Sequence, residues 1–373
     1  MAPTQAALYD GLSGELHLSW SEKELPERER TKHVHRLHPY LGKFVPQLVE
    51  ALLGRYVAVG GRVLDPFAGS GTTLVQCLES GYDSVGVDVA AFNCLLMRVK
   101  THRCDLFSLE SDLRSALGRV GGATRVRPGG YVREWFAPQA AAELLHFRSI
   151  VEEYEHADVL RVVLARAARS ARLTTHFDLD FPRAPQREPY WCYKHRRECV
   201  PVPEAAKFLS RYLLDTLARI KTFQKVRTRR HVAEVVHGDS GDVVLDGGFD
   251  AILTSPPYPG LIDYHEQHRY AYELLGLDDR RDRELGAAAL GTSKRAVADY
   301  ADGISRVLVA QSRSLKPKAP VIVVVNDRRD LYPAILERSG LRVVDRLERH
   351  VNRRTGRRAG EYYESVLVSV RET

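Results

Sequence analysis

Residues 254–258 hold the combination of side chains best suited to chemistry in this chain. They read Thr254-Ser255-Pro256-Pro257-Tyr258 and follow a short apolar run. Because two consecutive prolines hold φ at about −65° and donate no backbone hydrogen bond, a strand that reaches them must end in a stiff turn. Such a turn presents hydrogen-bond acceptors and one aromatic face, which suit the planar exocyclic amine of a nucleobase turned out of its stack. An ordinary strand-end turn is the alternative interpretation.

A glycine-rich stretch and the acid that follows it form a second motif. The stretch joins two apolar runs, and Asp88 ends the second run 17 residues beyond Gly71. This order predicts the opening βαβ unit of a doubly wound α/β fold, in which the acid accepts hydrogen bonds from ribose hydroxyls. Thr72 and Thr73 begin the intervening helix, whose free N–H groups and dipole suit a carboxylate. The motif reads Val63-Leu64-Asp65-Pro66-Phe67-Ala68-Gly69-Ser70-Gly71-Thr72-Thr73.

The two motifs together resemble the amino-methyltransferases of DNA, which use S-adenosylmethionine. The S-P-P-Y form is similar to the N4-cytosine branch, whereas the adenine branch usually carries Asp or Asn at the position of Ser255. The resemblance implies a Rossmann-like class I methyltransferase sheet, S-adenosylmethionine as cofactor, and an enzyme that methylates the N4 amine of a flipped cytosine in double-stranded DNA. The glycine motif precedes S-P-P-Y here, whereas many N4-cytosine enzymes have the opposite order, so the target base stays open.

The same resemblance implies a set of site residues. Residues 33–52 are similar to the segment that closes over the methionine part of the cofactor, and Asp239 matches an acid that contacts the adenine amino group. The implied cofactor contacts are Lys43, Phe44, Asp65, Phe67, Gly69, Gly71, Thr72, Thr73, Asp88 and Asp239. The implied catalytic residues are Ser255, Pro256, Pro257 and Tyr258.

The catalytic residues have distinct expected roles. A cytosine amine is a poor nucleophile because its lone pair is delocalised into the ring. Hydrogen bonds from its N–H groups to the Ser255 hydroxyl and the Pro256 carbonyl would favour the pyramidal geometry that directs this lone pair at a methyl group. Tyr258 is expected to stack on the extruded ring.

The interval between Asp88 and Asp239 is longer than a doubly wound sheet needs. It spans 151 residues, whereas successive strands normally lie a few tens of residues apart. We therefore predict a lead-in at 1–32, a catalytic domain at 33–102 and 232–373, and a mostly helical inserted target-recognition region at 103–231. Helical apolar stripes at 139–172 and 204–223 are predicted to be packing faces.

Positive charge is concentrated in the inserted region. Residues 101–232 hold 24 Lys and Arg against 15 Asp and Glu, whereas the rest of the chain holds 31 against 33. Localised basicity suits a polyanion such as DNA, although a solvated basic surface is the alternative. An aromatic and basic loop within 181–203 is the candidate for target recognition. After the S-P-P-Y turn we predict a helix at about 300–314, a buried strand at 320–325 and the last two strands at 341–347 and 363–370. The arginines between these last two strands are candidates for phosphate contacts. The predicted DNA contacts are Tyr190, Trp191, Lys194, Arg196, Arg197, Arg353, Arg354, Arg357 and Arg358.

The five cysteines indicate reduced thiols rather than a disulfide framework. None of them follows a proline, which is the pattern of carbon-5 cytosine methyltransferases. Cys192, His195 and Cys199 have the spacing of three zinc ligands, but no fourth ligand is evident nearby. We predict no metal site, and zinc binding by these three residues is the alternative. His265 and His268 are three residues apart, and a surface helix is a better explanation of them than a metal site.

Other expectations concern location, partners and alternative activities. No run of about 18 apolar residues occurs, so we expect no membrane association and a cytoplasmic, nucleoid-associated bacterial protein. A cognate restriction endonuclease is a candidate partner, whereas recognition sequence and oligomeric state cannot be predicted. The alternatives are N6-adenine or RNA-base methylation and, in a different class, a non-catalytic protein that senses S-adenosylmethionine and binds nucleic acid.

Overall fold

The computed structural model describes residues 16–42, 45–124, 127–179, 181–351 and 362–372. A seven-stranded sheet has the strand order β5-β2-β1-β6-β7-β9-β8, and β3 and β4 form a separate hairpin. The strands are β1 (Arg62–Asp65), β2 (Asp83–Asp88), β3 (Tyr190–Cys192), β4 (Arg197–Cys199), β5 (Ala233–His237), β6 (Ala251–Thr254), β7 (Pro320–Val325), β8 (Leu341–Val351) and β9 (Tyr362–Arg371).

Helices cover the sheet and build the inserted region. They are α1 (Glu27–Arg30), α2 (Pro46–Tyr56), α3 (Thr72–Ser80), α4 (Ala91–Thr101), α5 (Leu106–Gly118), α6 (Gly130–Trp135), α7 (Pro138–Ile150), α8 (Ala157–Ala171), α9 (Ala206–Val226), α10 (Tyr264–Gln267), α11 (Arg269–Leu275), α12 (Lys294–Ser312) and α13 (Tyr332–Arg338). Short 3₁₀ helices lie at His33–Arg36, Val151–Glu153, Arg281–Arg283 and Ala288–Leu290.

The strand order explains where a ligand can bind. Strands β5, β2, β1, β6 and β7 are parallel, and β9 and β8 are added as an antiparallel hairpin. β1 pairs with β2 on one side and with β6 on the other. Strands β2 and β5 extend the sheet in one direction from β1, and β6 and β7 extend it in the other, so the strand order reverses between β1 and β6. In an open α/β sheet, ligands bind outside the carboxyl ends of the strands at such a switch point. The predicted doubly wound, Rossmann-like fold is confirmed.

The parallel strands are apolar because helices cover both faces of the sheet. In β7 the five residues Val321–Val325 are all buried, as continuous Val and Ile runs predict for a central parallel strand. α12 and α13 cover one face with Ile304, Leu308 and Ile335, and α2 covers the other with Leu48 and Leu52. These layers fix the positions of the strand ends at which the site lies.

The helices of the inserted region share their core with the catalytic part. One apolar cluster joins Leu160 and Leu213 of the insertion to Leu78 of α3 and Phe92 of α4. The two predicted packing stripes are confirmed, since α8 and α9 bury their apolar faces in this cluster. The domain boundaries themselves stay a prediction.

Two local expectations differ from the structure. The segment 181–203, which was expected to be a loop, contains the β3–β4 hairpin. The expectation of a surface helix for His265 and His268 is wrong, because both side chains are buried, 0% and 1% exposed. A helix of four residues, α10, carries too few positions for its apolar periodicity to show which face is buried. Within the described residues, no helix has the length and apolar character needed to cross a membrane.

Candidate active site

A cleft opens at the carboxyl ends of β1, β2 and β6. Of the predicted cofactor contacts, Phe67, Gly69, Thr72, Asp88 and Asp239 line it. Ser255 and Pro257 of the predicted catalytic turn line the same cleft, so the two sequence motifs meet there.

Asp88 is held in place by hydrogen bonds to both of its carboxylate oxygens. Oδ2 accepts from the Gly69 amide at 2.8 Å, and Oδ1 accepts from the Ala90 amide at 2.8 Å and from Asn93 Nδ2 at 3.0 Å. Burial raises the pKa of Asp88 to about 6, although these three donors act in the opposite direction. The carboxyl is therefore oriented towards the cleft and is ionised at neutral pH.

Gly69 is required by the close approach of an aromatic side chain. Its φ is +52°, and an added Cβ would lie 2.9 Å from the hydroxyl oxygen of Tyr40. The Tyr40 ring stacks on Tyr264, with a centroid distance of 5.2 Å and an angle of 14°, and Asn93 Nδ2 donates to its hydroxyl at 3.2 Å. Two tyrosines distant in sequence thus form a wall of the cleft beside the glycine turn.

Asp65 braces the site from behind. It is 2% exposed, and it accepts hydrogen bonds from the Thr73 and Thr254 hydroxyls at 2.6 Å each and from the Phe67 amide at 3.1 Å. Burial raises the pKa of Asp65 to about 6. The brace joins the start of α3 to the end of β6, directly before the catalytic turn. Asp65 and Thr73, both predicted as cofactor contacts, lie outside the lining of the cleft, as does Gly71.

Asp239 lines the opposite side of the cleft and is paired with arginine. Arg306 Nη2 lies 3.0 Å from Oδ1 and 2.8 Å from Oδ2, and Arg283 Nη1 lies 3.9 Å from Oδ2. The Gly241 amide also donates to Oδ1 at 2.8 Å. These positive partners keep the carboxylate oriented, and carboxylate oxygens can accept further hydrogen bonds.

The predicted catalytic turn is fixed by the strands and helices around it. The Ser255 hydroxyl donates to the carbonyl of Val324 in β7 at 3.0 Å, and the Tyr300 hydroxyl donates to the Pro257 carbonyl at 2.8 Å. The Tyr332 hydroxyl lies 2.8 Å from that of Tyr300. Because its proton is directed at β7, the Ser255 oxygen is left as an acceptor towards the cleft.

A second pocket lies on the other side of the turn. Tyr258 lines it together with Tyr300, Tyr332 and Asn326. The Tyr258 hydroxyl lies 3.4 Å from Oε1 of Glu364, which belongs to the terminal β8–β9 hairpin. The turn therefore separates two pockets, with Ser255 facing the first and Tyr258 facing the second.

The comparisons with known proteins identify the family of this chain. A family model described as a DNA methylase matches residues 11–97. The Type II methyltransferase M.MjaII from Methanocaldococcus jannaschii is 34% identical over 92% of this chain and 81% of its own length. The chain belongs to the DNA amino-methyltransferases. This DNA methyltransferase uses S-adenosylmethionine, and a cleft with a glycine turn, a helix N-terminus and two carboxylates fits that cofactor.

More distant similarities have lower identity. The Type II methyltransferase M.BsoBI from Geobacillus stearothermophilus is 23% identical over 71% of this chain and 57% of its own length. Among solved structures, TrmN from Thermus thermophilus has a TM-score of 0.36 and 14% identity, covering 89% of this chain and 50% of its own. The fold of this DNA methyltransferase therefore rests on its own strand order.

The predicted DNA contacts of the inserted region lie on the β3–β4 hairpin. Trp191 and Tyr193 are 57% and 82% exposed. Lys194, Arg196 and Arg197 are also exposed, whereas the Tyr190 hydroxyl faces inward, 2.8 Å from His176. Lys43, Phe44, Arg353, Arg354, Arg357 and Arg358 lie outside the described residues. Binding of DNA by these residues stays a prediction.

Several residues of the site carry no local sequence signal. Glu284 is 7% exposed in the loop that follows α11, accepts from the Tyr264 amide at 2.7 Å and lies 2.7 Å from His265 Nδ1. Lys100 is 1% exposed, and its ammonium donates to the Ser70 carbonyl in the glycine turn at 2.6 Å. The sequence does not show that a lysine in a helix or a glutamate in a loop is buried, because its burial depends on partners that are distant in sequence.

Proposed function

We propose that this DNA methyltransferase transfers a methyl group to the exocyclic N4 amine of a cytosine flipped out of double-stranded DNA. The observation that carries the proposal is the orientation of Ser255 between two pockets. Its hydroxyl proton is directed at the Val324 carbonyl, so its oxygen can accept a hydrogen bond from an amine. When bound in the first cleft, S-adenosylmethionine supplies an electrophilic methyl group.

The first cleft supports cofactor binding through complementary chemistry. Asp88 would accept hydrogen bonds from both ribose hydroxyls, and Asp239 would accept one from the adenine amine. The N-terminus of α3 at Thr72 would hold the carboxylate, because the first N–H groups of a helix have no intrahelical acceptor. The Tyr40–Tyr264 wall would exclude water from this end of the cleft.

The second pocket supports capture of the base. The ring of Tyr258 offers a stacking face, and stacking of a base on an aromatic side chain contributes about 1–3 kcal/mol. Ser255 and the Pro256 carbonyl would then accept the two N–H bonds of the amine, which favours a pyramidal nitrogen. No strong base is needed before methyl transfer, since the amine proton becomes acidic only once the new bond has formed.

The serine at position 255 favours cytosine over adenine. The adenine branch usually has Asp or Asn there, whereas this chain has Ser255 followed by two prolines. The names of the relatives do not specify the methylated atom. Methylation of adenine N6 is the outcome that would refute this assignment while preserving the enzyme class.

Sequence-specific binding would involve the inserted region. The β3–β4 hairpin presents one indole, one phenol and three cations to solvent, which suits contacts to bases and phosphates. Arg353, Arg354, Arg357 and Arg358 would add phosphate contacts. Since the relatives include Type II methyltransferases, we further propose a cognate restriction endonuclease that cleaves the same, unmethylated sequence.

The proposal is tested by labelled methyl transfer from S-adenosylmethionine to DNA and, in parallel, to RNA. The DNA is then digested, and its nucleosides are identified by mass spectrometry. We expect N4-methylcytosine in DNA and no label in RNA. N6-methyladenine would overturn the choice of base, and cofactor binding without transfer to either nucleic acid would overturn the assignment as an enzyme.

Replacement of Ser255 tests the role of the turn. Ser255→Ala removes one hydrogen bond to the amine, and we expect kcat to fall by about tenfold to a hundredfold, equivalent to about 1.4–3 kcal/mol. Affinity for the cofactor should stay unchanged. Ser149→Ala is the matched control, because Ser149 is an exposed serine in the insertion whose hydroxyl donates only to the local His146 carbonyl. Equal rates in both variants would contradict the proposed role.

A further inference from the structure

The inserted region contains a cluster of four side chains with metal-ligand chemistry. His176, Cys192, His195 and Cys199 each offer one ligand atom, and these atoms all lie within 4.8 Å of one another. The sequence spacing shows only the last three, because His176 is separated from the hairpin by the loop that leads into it. The fourth ligand that the sequence did not reveal is therefore supplied by the fold.

The distances match a tetrahedral zinc site. With Zn–S bonds of about 2.3 Å and Zn–N bonds of about 2.0–2.1 Å, a tetrahedron places sulfur and nitrogen about 3.6 Å apart. Cys192 Sγ lies 3.6 Å from His176 Nδ1 and 3.7 Å from His195 Nδ1, and Cys199 Sγ lies 3.4 Å from His195 Nδ1. All three separations fit one ion at the centre of the cluster.

The hairpin is built to bring these ligands together. Tyr190 pairs with Cys199, and Cys192 lies two residues further along β3, so both cysteines are on the same face. The turn then folds His195 back, since its amide donates to the Cys192 carbonyl at 3.1 Å and Arg196 has a φ of +52°. Both cysteines are buried and are free thiols.

The same hairpin has little else to stabilise it. Its strands have three residues each, and an isolated two-stranded hairpin of this kind is at best marginally stable in water. Its large apolar side chains, Trp191, Tyr193 and Val200, are 57%, 82% and 65% exposed. Small elements without a core of their own are commonly held by disulfides or by a structural metal.

We infer that His176, Cys192, His195 and Cys199 form a structural zinc site that holds the β3–β4 hairpin against the inserted region. The Tyr190 hydroxyl lies 2.8 Å from His176 Nδ1 and would compete with zinc for the lone pair on this nitrogen. With zinc bound, this hydroxyl would still accept a hydrogen bond from the backbone amide of His176, which lies 3.0 Å away. The ion balances the two thiolates and has no open position for a substrate, because all four positions are occupied by protein ligands.

The experiment measures zinc in the full-length chain purified without chelator. We expect about one zinc per chain, and cobalt substitution should give the visible bands of a tetrahedral site with thiolate ligands. X-ray absorption at the zinc edge should show two sulfur and two nitrogen neighbours. A zinc content below about 0.1 per chain with no uptake of cobalt would overturn the inference, and so would a disulfide between Cys192 and Cys199 in mass spectrometry.

Variants identify the ligands. His176→Ala and Cys192→Ser should each lose zinc or bind it at least about a hundredfold more weakly. Cys104→Ser is the control, because Cys104 is a half-buried free thiol outside the cluster, and its zinc content should stay at the wild-type level. Wild-type zinc content in His176→Ala would overturn the four-ligand assignment. If a variant fails to fold, the absorption and cobalt spectra of the wild type still decide.

A functional readout separates the zinc site from the proposed DNA contacts. Removal of zinc should weaken DNA binding by the full-length chain while leaving cofactor affinity unchanged, a result that rests on the proposed role of the hairpin. Unchanged DNA affinity with a confirmed zinc content would refute that role and leave the metal site standing.

Discussion

The buried carboxyl of Asp88 should make cofactor binding dependent on pH. Its pKa is raised to about 6 because burial disfavours the charged form. Ribose hydroxyls donate to the ionised carboxylate, so affinity should be full above this pKa and should fall as pH decreases through it. If only the ionised form binds, the apparent Kd at about pH 5 is about tenfold higher than at about pH 7.5.

Calorimetric titration with S-adenosylhomocysteine across this pH range measures the effect. Asp88→Asn is the comparison, because it keeps the size of the side chain and removes its titration; its Kd should be higher and nearly independent of pH. The raised pKa affects the free energy of unfolding in the opposite direction. The folded chain binds this proton more tightly than the unfolded chain, so a decrease in pH through about 6 favours the folded state at this residue. Asp88 itself should therefore not promote unfolding at low pH. A flat profile in the wild type, or the same slope in Asp88→Asn, would refute the reasoning.

Two further predictions concern the base pocket and the glycine turn. Tyr258→Ala should weaken capture of the target base by about 1–3 kcal/mol, seen as a higher KM for DNA. Tyr258→Phe keeps the ring and removes the hydroxyl that contacts Glu364 at 3.4 Å. Equal KM values for these two variants would argue against stacking. Gly71→Ala should destabilise the chain by about 1–3 kcal/mol in denaturant titration, because φ is +79° and the new Cβ would lie 2.7 Å from Met97. Gly54→Ala in α2, where an added Cβ meets nothing within 4 Å, should stabilise by about 0.5–1 kcal/mol, and a loss in this control would contradict the argument.

The cofactor half was predictable because its signals are local. The order of apolar run, glycine turn, helix and second apolar run specifies β1, α3 and β2 within fewer than thirty residues. The predicted strand 320–325 coincides with β7, and the last two strands were expected within a few residues of their observed bounds. Helix α12 begins six residues earlier than expected, at Lys294, since Ser293 caps it by accepting from the Ala296 amide.

The remaining parts of the site depend on contacts between distant segments. Three pairs of residues that are far apart in sequence are in contact, and no local hydrophobic pattern predicts such contacts. The pairs are Tyr40 and Tyr264, Asp65 and Thr254, and Tyr258 and Glu364. Asp65 illustrates the difficulty, because an acid beside a glycine turn suggests contact with a ligand. In the structure its carboxylate instead accepts hydrogen bonds from two threonine hydroxyls and a backbone amide. Only the tertiary structure distinguishes these uses of one side chain.

If the inserted region selects the DNA sequence, as proposed, its common core with the catalytic region limits how new sequence specificities can arise. Exchange of the insertion alone between two such enzymes would leave α3 and α4 facing foreign side chains, and each mismatched large residue there costs about 1–3 kcal/mol. Chimaeras should therefore tolerate transplantation of the small β3–β4 hairpin better than that of the whole helical segment. Diversification of target choice in this lineage would then proceed through the tip of the insertion, while its helices are inherited together with the sheet they cover.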